Sequence, residues 1–273
     1  MTIRAEYCTV TELRATYLKA TGTGDDVLLL GMIRAISRDI DDLTVKRHHP
    51  RLETRYFSLP YDGQLDFGEN WLLGVTTLTN GDGDAIASTD YNLQPRNDTP
   101  YHALRLKDSS SVVWAPDADG NVDDVIALAG VWGFHRDYAH AWETLTTLAA
   151  PGLTDSATSA TLTAAGAQGG ELWKIDSEYI YAGAVTTTAA TALLRGVNGS
   201  TAAAHIAGAT IYRWAVGDSL SLLCKQAAAA TYKLRDNPSG EAVSIDGHEF
   251  RTPRDVRPWL LKQMQLMGLV ALS

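Results

Sequence analysis

The stretch LLRGVNGSTAAAHIAGATIYRW gathers, between glycines, residue types that could carry out a reaction. Arg195, Asn198, Ser200 and His205 follow one another closely, so a hydroxyl, an imidazole and a guanidinium group could meet at one site. A reaction centre of this kind needs a hydroxyl or thiol activated by a neighbouring base. Nothing near these residues resembles such a nucleophile, so a second interpretation has to be considered.

The same stretch is typical of a tightly turned piece of β structure. Asn198-Gly199 is a strong turn signal, and tight turns favour glycine at three positions here: Gly196, Gly199 and Gly208. We predict that Arg195 and His205 hydrogen-bond loop carbonyl groups and so fix the turn. This interpretation predicts a structural β turn and no catalytic residue.

The segment DADGNVDD is the best candidate for a metal site. It places oxygen ligands at alternate positions, as calcium loops do: Asp117, Asp119, Asn121 and Asp123. An EF-hand needs glycine at its sixth position and glutamate at its twelfth, whereas Gly120 is fourth and Leu128 is twelfth here. A hairpin loop explains the same residues, so these four are weak candidates and we expect no metal or other cofactor.

Other reactive patterns are missing from the sequence. It contains no GxSxG, HExxH, Walker-type or CxxC motif. Adjacent histidines such as His48 and His49 point to opposite faces of a strand, so they chelate a metal poorly. Carboxylates occur mostly in turns and at helix starts, where capping explains them. We therefore expect that the protein is not an enzyme, although a hydrolase stays open as the least favoured alternative.

Composition limits the remaining classes. The chain has 273 residues and a formal charge of -9. This charge argues against a protein that binds nucleic acid over a wide surface, but not against one that lets nucleic acid pass without binding it. Cys8 and Cys224 are distant in sequence, which predicts free thiols in a reducing compartment. We find no leader and no apolar run long enough for a bilayer, so we expect cytosolic synthesis and no membrane partner.

Hydrophobic spacing predicts helices at both ends of the chain. Thr9 and Glu12 have capping-box spacing before a short helix. A longer amphipathic helix follows, with apolar residues on one face: Leu29, Met32, Ile33, Ile36, Ile40 and Leu43. Helical spacing returns at Leu220 and again in the apolar C-terminal segment, where Pro258 suits a first turn.

Short β-rich runs separated by turn residues fill the middle of the chain. From about residue 143 to 214 the composition shifts toward Thr, Ala and Gly, and ELWKI with EYIYAGAV predicts a hairpin. We therefore expect an α+β fold: a helical bundle (two N-terminal helices, a later long helix and a C-terminal helix), an antiparallel β-hairpin region, and an inserted small β-barrel-like module. The expected domains are 1–142 plus 215–273 as the core, and 143–214 as the insert.

The order of several segments resembles the head-tail connector, or adaptor, family of tailed bacteriophages. The segments on which this resemblance rests are TVTELRATYLKATGTGDDVLLLGMIRAISRDID, RYFSLP, DYNLQPRNDTPY, GVWGF, AVGDSLSLLCKQAAAATYKLRD and GHEFRTPRDVRPWLLKQM. The likeness covers most of residues 1–142 and 216–270, and the insert between them is a departure. The insert is similar to a small β module of phage tail and structural proteins with the pattern RGxxGTxAxxHxxG, with Ser200 where Thr is usual.

The resemblance implies a structural virion protein, a homo-oligomeric ring of about twelve subunits below the portal. Such a ring extends the channel for double-stranded DNA and receives a stopper or tail-completion protein. The C-terminal segment would bind the portal protein through Arg251, Arg254, Arg257, Trp259, Leu260, Met264 and Met267. The other possibility for this segment is packing on its own domain. The expected location is the capsid-tail neck of the virion, after synthesis in the host cytoplasm.

A second function remains open at this point. The chain could be another virion binding protein, at the tail tip, with a glycan- or receptor-binding module in residues 143–214. Long N-terminal helices favour the ring subunit, because host-recognition proteins are usually β-rich at both ends.

Overall fold

The computed structural model describes residues 1–19, 22–236, 243–245, 248–250, 256–267 and 269–270. The α-helices are α1 (Val10–Leu13), α2 (Asp26–Thr44), α3 (Asp218–Asp236) and α4 (Val256–Leu266). The first strands are β1 (Arg51–Phe57), β2 (Gln64–Asp66), β3 (Leu72–Thr79), β4 (Tyr91–Gln94), β5 (Ala103–Leu106), β6 (Ile126–Trp132) and β7 (Trp142–Thr147). The later strands are β8 (Ala160–Thr161), β9 (Leu172–Ile175), β10 (Glu178–Thr186), β11 (Ala189–Leu194), β12 (Thr210–Trp214), β13 (Val243–Ile245) and β14 (His248–Phe250).

The expected fold class, a helical bundle carrying a small β module, is wrong. Strands make up 29% of the chain and helices 24%, so β structure dominates. Three antiparallel sheets have the orders β1-β6-β3, β2-β5-β4 and β7-β12-β9-β10-β11-β8, and β13 pairs with β14. Helical periodicity was conspicuous because α2 and α3 span 19 residues each. The strands are only 2 to 9 residues long and pair across distant segments, so sequence patterns underestimate the share of the chain that is β structure.

The helices nevertheless begin where the sequence predicted. The hydroxyl of Thr9 accepts a hydrogen bond from the Glu12 backbone N–H at 3.2 Å, and the Glu12 carboxylate accepts one from the Thr9 N–H at 3.0 Å. This confirms the capping box of α1. The short helix continues as a π-helical turn, Arg14–Leu18, and Lys19 closes it in the left-handed conformation.

One hydrophobic core joins α2, α3 and α4 to the N-terminal segment. From α2 it takes the buried residues at helical spacing: Leu29, Ile33, Ile36 and Ile40. Cys8 and Cys224 are both buried here as free thiols, with their sulfur atoms 3.7 Å apart. The hydrogen bond to the Cys224 thiol is the main cause that raises the pKa of Cys8 above its usual range, and burial is the second cause. Among the described residues, none of the helices combines the length and the apolar character needed to cross a bilayer.

The two three-stranded sheets enclose a second core around Trp132. Its ring packs against Phe57 and Phe67, and its Nε1–H donates to the Glu53 carbonyl at 3.0 Å. The strands β1 and β3 flank β6 on either side, in antiparallel register from Arg51 opposite Trp132. Alternate residues of β6 are buried, as expected for a strand covered on one face.

The six-stranded sheet is built from the chain between Trp142 and Trp214. β9 and β10 form the predicted hairpin, with Asp176 at its turn in a left-handed conformation. The expected domain boundaries at residues 142/143 and 214/215 stay a prediction, although the strands of this sheet occupy that interval. A mixed core that includes Ala5, Leu73 and Tyr179 joins the sheet to the rest of the chain.

Candidate functional site

The stretch that suggested chemistry forms a long loop between β11 and β12, residues 195–209, here called the insert loop. Its turns occur at the residues that the sequence singled out. Left-handed backbone conformations are found at Gly196, Asn198, Gly199 and Gly208. The loop crosses over the β9–β10 hairpin, and this brings its side chains onto the residue that begins β10.

That residue is Glu178, whose carboxylate is completely buried. Arg195 binds it through two parallel hydrogen bonds, from Nε to Oε1 at 2.8 Å and from an Nη to Oε2 at 2.7 Å. The Arg195 side chain is itself only 7% exposed. A bidentate, charge-assisted pair of this kind is short and directional, so it fixes the position of both side chains.

The remaining lone pairs of Glu178 are also occupied. Oε1 accepts the backbone N–H of Gly196 at 2.8 Å, and Oε2 accepts that of Ala203 at 3.1 Å. His205 Nε2 lies 2.8 Å from Oε2, and its Nδ1 lies 2.8 Å from the exposed carboxylate of Asp176. Burial by itself would raise the pKa of Glu178, but these donors outweigh it, led by Arg195, and hold the pKa below its usual value.

Arg195 also reaches three backbone carbonyl groups. One of its Nη atoms donates to the carbonyls of Thr154 and Ala157, and the other donates to that of Ala203 at 2.6 Å. His205 differs from the sequence expectation, because its ring nitrogens face the carboxylates of Asp176 and Glu178. Its backbone, instead, pairs with Leu153 in an isolated β bridge.

This geometry offers little for catalysis. The hydroxyl of Ser200 donates to the Val197 carbonyl at 2.8 Å and accepts the Tyr179 N–H at 2.8 Å, so backbone groups occupy it. Both nitrogens of His205 face carboxylates rather than a hydroxyl or thiol. A nucleophile–base pair requires a hydrogen bond between the two groups. The arrangement is that of a buried ion pair network that stabilises a turn.

The tip of the insert loop binds a distant part of the chain. The backbone N–H of Asn198 donates to the Met1 carbonyl at 2.8 Å, and its Oδ1 accepts the Ile3 N–H at 2.7 Å. Its Nδ2 donates to the Pro50 carbonyl at 3.1 Å, and its carbonyl accepts the Leu52 N–H at 2.8 Å. One buried asparagine therefore connects the insert loop to both the N-terminal segment and β1.

The close contact between the insert loop and β1 leaves no space for a side chain at Gly199. A Cβ atom at this position would lie 1.8 Å from the Leu52 carbonyl oxygen, and the residue has a φ of +84°. Gly208 has a similar φ of +86°, yet a Cβ there would meet no atom within 4 Å. The two glycines thus separate the cost of the backbone conformation from the cost of the close approach.

The weak metal candidates form a hydrogen-bonded turn. Asp117 Oδ1 accepts the backbone N–H groups of Asp119 at 3.0 Å and Asn121 at 2.8 Å. Asn121 Oδ1 accepts that of Asp123 at 3.2 Å. These oxygens cap their own loop, as in Asx turns. Within the described ranges, no group of three or more His, Cys, Asp or Glu side chains is arranged to hold a metal ion.

The residues expected to bind a portal are divided by the structure. Arg251 and Arg254 lie outside the described residues. Leu260 and Met264 are fully buried in the core formed with α2 and α3. Arg257 is exposed. The remaining two pack partly against the same core: Trp259 and Met267. Packing on its own domain, the other possibility for this segment, therefore accounts for its most apolar positions.

Glu178, the centre of the site, was not among the residues predicted from the sequence. An acidic residue at the start of an otherwise apolar strand, EYIYAGAV, was a usable signal, because a buried carboxylate needs cations nearby. Arg195 is such a cation and His205 is a further partner, but their spatial proximity to Glu178 depends on how the hairpin and the loop are stacked. The contacts of Asn198 with residues almost 200 positions away had no signal in the sequence.

No protein-family model, curated protein or solved structure matches the chain.

We predict that Glu178→Gln lowers the free energy of unfolding by about 3 to 5 kcal/mol, because it removes one partner of a buried ion pair. Urea denaturation at neutral pH measures the change. Asp176→Asn is the matched control, since its side chain is 72% exposed and its loss should cost less than about 1 kcal/mol. Equal losses in the two variants would contradict the central role of Glu178.

The stability supplied by Glu178 should depend on pH. Its pKa is lowered in the folded protein, so its contribution is complete above the unfolded pKa of about 4.3 and is lost as the pH falls through the folded value. The difference in unfolding free energy between the wild type and Glu178→Gln should therefore shrink below about pH 4.3. Urea titrations at several pH values measure it, and a constant difference down to the acid limit of folding would disprove the assignment.

Gly199→Ala should destabilise the protein more than Gly208→Ala. Both variants adopt a strained left-handed conformation, which costs about 1 to 3 kcal/mol. Only the first also forces a methyl group into the Leu52 carbonyl, which adds about 1 to 3 kcal/mol of steric cost. Urea denaturation of the two variants side by side tests this. If they lose equal stability, the close contact with β1 is not needed.

Proposed function

We propose that this protein is a structural virion protein, a head-tail adaptor whose subunits form a ring of about twelve below the portal. The order of sequence segments that resembles the adaptor family supports this proposal. The character of the candidate site is in line with it, because its side chains stabilise a turn instead of activating a nucleophile. On this proposal the protein has no substrate and works at the neck of the virion.

The observation that carries the proposal is a group of exposed carboxylates in the loops that follow β3 and precede β6, here called the acidic tip. It consists of Asp82, Asp84, Asp119, Asp123 and Asp124. The loops are neighbours, since β3 pairs with β6 with Thr79 opposite Ala127, and Gly81 lies against Pro116 and Val125. Among the described residues, none of these carboxylates forms an ion pair with a basic side chain.

An acidic surface of this kind suits a channel through which DNA passes. Carboxylates repel phosphate groups, so the duplex does not adhere during packaging and ejection. The formal charge of -9 agrees with a ring that lets DNA pass without holding it. We therefore assign the acidic tip to the lumen of the ring, in contact with passing double-stranded DNA.

The other partners follow from the same arrangement. The portal would be bound by the exposed side of α4, including Arg257 and Leu266, which is 71% exposed. Leu260 and Met264 are excluded from this surface because they are buried in the subunit. The six-stranded sheet, fixed to the body by Asn198, would thicken the outer wall of the ring. A stopper or tail-completion protein would attach at the opposite end.

An electron-microscopic reconstruction of the portal vertex of the source particle tests the proposal. We expect this chain as a ring between portal and tail, with the acidic tip facing the channel and α4 against the portal. Because α4 supplies buried core residues, deleting it would confuse folding with docking. Leu266→Asp tests docking to the portal without removing a core residue, because Leu266 is exposed. Val122→Asp is its control, since Val122 is also exposed but lies beside the acidic tip.

Several outcomes would contradict the proposal. A chain found at the tail tip would transfer the function to the insert as a receptor- or glycan-binding module. A chain missing from the particle would remove the virion role altogether. A ring whose channel surface is basic would retain the adaptor but disprove the repulsion of DNA by the acidic tip.

A further inference from the structure

A cleft lined by three arginines lies between the chain that follows α2, strand β1 and the end of β6, whereas the acidic tip precedes the start of β6. Its volume is about 220 Å³. We call it the arginine cleft, and its lining residues that matter here are Arg47, Arg51, Arg55, Glu69 and Trp132. Such a concentration of guanidinium groups is unexpected in a chain with a formal charge of -9.

The positive charge of the cleft is not fully compensated. Arg51 and Arg55 share a single oxygen of Glu53, which lies 3.3 Å from an Nη of Arg51. Arg47 is exposed and forms no ion pair with any described residue. Glu69 is the one carboxylate in the lining. The two carboxylates thus leave one of the three positive charges without a counterion.

Arg51 shows the strongest need for a further partner. Its side chain is only 12% exposed, and its buried Nε–H has no hydrogen-bond acceptor. Burial lowers the pKa of Arg51; Glu53 opposes this, and the neighbouring Arg47 and Arg55 lower it further. An unsatisfied buried donor costs free energy that a bound acceptor would recover.

Arg55 forms a rigid wall of the cleft. Its Nε donates to Glu53 at 2.7 Å, one Nη donates to Asn70, and its guanidinium plane lies 4.4 Å from the centre of the Trp132 ring. Trp132 is itself buried and hydrogen-bonded to the Glu53 carbonyl. A site whose walls are already fixed loses little entropy when a ligand binds.

We propose that the arginine cleft binds a phosphate group, either free or carried by a nucleotide or nucleic-acid backbone, with Arg47 and the Nε–H of Arg51 as its donors. Guanidinium groups pair with oxyanions through directional, charge-assisted hydrogen bonds. Arginines reach this cleft from the α2–β1 loop and from β1, which suits a tetrahedral anion with several oxygens better than a planar carboxylate. This inference does not depend on ring assembly.

Isothermal titration calorimetry of the full chain with inorganic phosphate at low salt tests the proposal. Arg47→Gln should weaken binding about tenfold, as expected for the loss of one hydrogen bond between charged groups. This residue is exposed and unpaired within the described chain, so the variant should fold normally, and urea denaturation verifies that. Arg105→Gln, an exposed arginine on β5, is the matched control and should change the affinity less than about twofold.

A second titration, with a short DNA duplex, distinguishes the sources of the phosphate. Duplex binding that is lost in Arg47→Gln assigns the cleft to a nucleic-acid backbone, whereas binding of phosphate alone assigns it to a small ligand. The proposal is overturned if neither probe binds, or if Arg105→Gln weakens binding as much as Arg47→Gln. Acetate that binds as tightly as phosphate would overturn it in favour of a carboxylate, as on an acidic protein partner.

Discussion

A buried carboxylate is the constraint on which the insert depends. Glu178 accepts five hydrogen bonds, two from Arg195 and one each from Gly196, Ala203 and His205. A buried charge with fewer donors would be costly, so the loop can take its observed path only when all of these groups arrive together. The loop conformation, in turn, places Asn198 where it can reach the N-terminal segment and β1. The ion pair network and the attachment of the insert are therefore parts of one cooperative unit.

Local signals in the sequence predicted local structure well. The capping box of α1, the buried face of α2 and the β9–β10 hairpin follow from spacing and turn residues within a few positions. The order of the six-stranded sheet does not, because β12 lies between β7 and β9 although 34 residues separate the end of β9 from the start of β12 in sequence. Such pairings depend on which apolar faces meet, and this information is distributed over the whole chain.

In the candidate site, too, the local features were predicted and the non-local contacts were not. Gly196, Asn198, Gly199 and Gly208 stood out because each turn imposes a backbone conformation that few residues adopt. Glu178 did not stand out, since its role depends on a non-local pairing. The overestimate of helix had a similar origin: long helices are visible in sequence as one continuous pattern, whereas a sheet is the sum of short pieces.

The attachment of the insert has a consequence for the arginine cleft. Asn198 holds the Pro50 carbonyl and the Leu52 N–H, which flank Arg51 on both sides. Side chains alternate along a strand, so Arg51 projects to the face opposite Leu52, which packs on the mixed core, and that face is where the cleft lies. β1 pairs with β6 so that Arg51 is opposite Trp132, and the guanidinium group of Arg55 lies over the Trp132 ring. The buried carboxylate of Glu178 is thus connected, through the insert loop and β1, to the geometry of a cationic site that it does not touch.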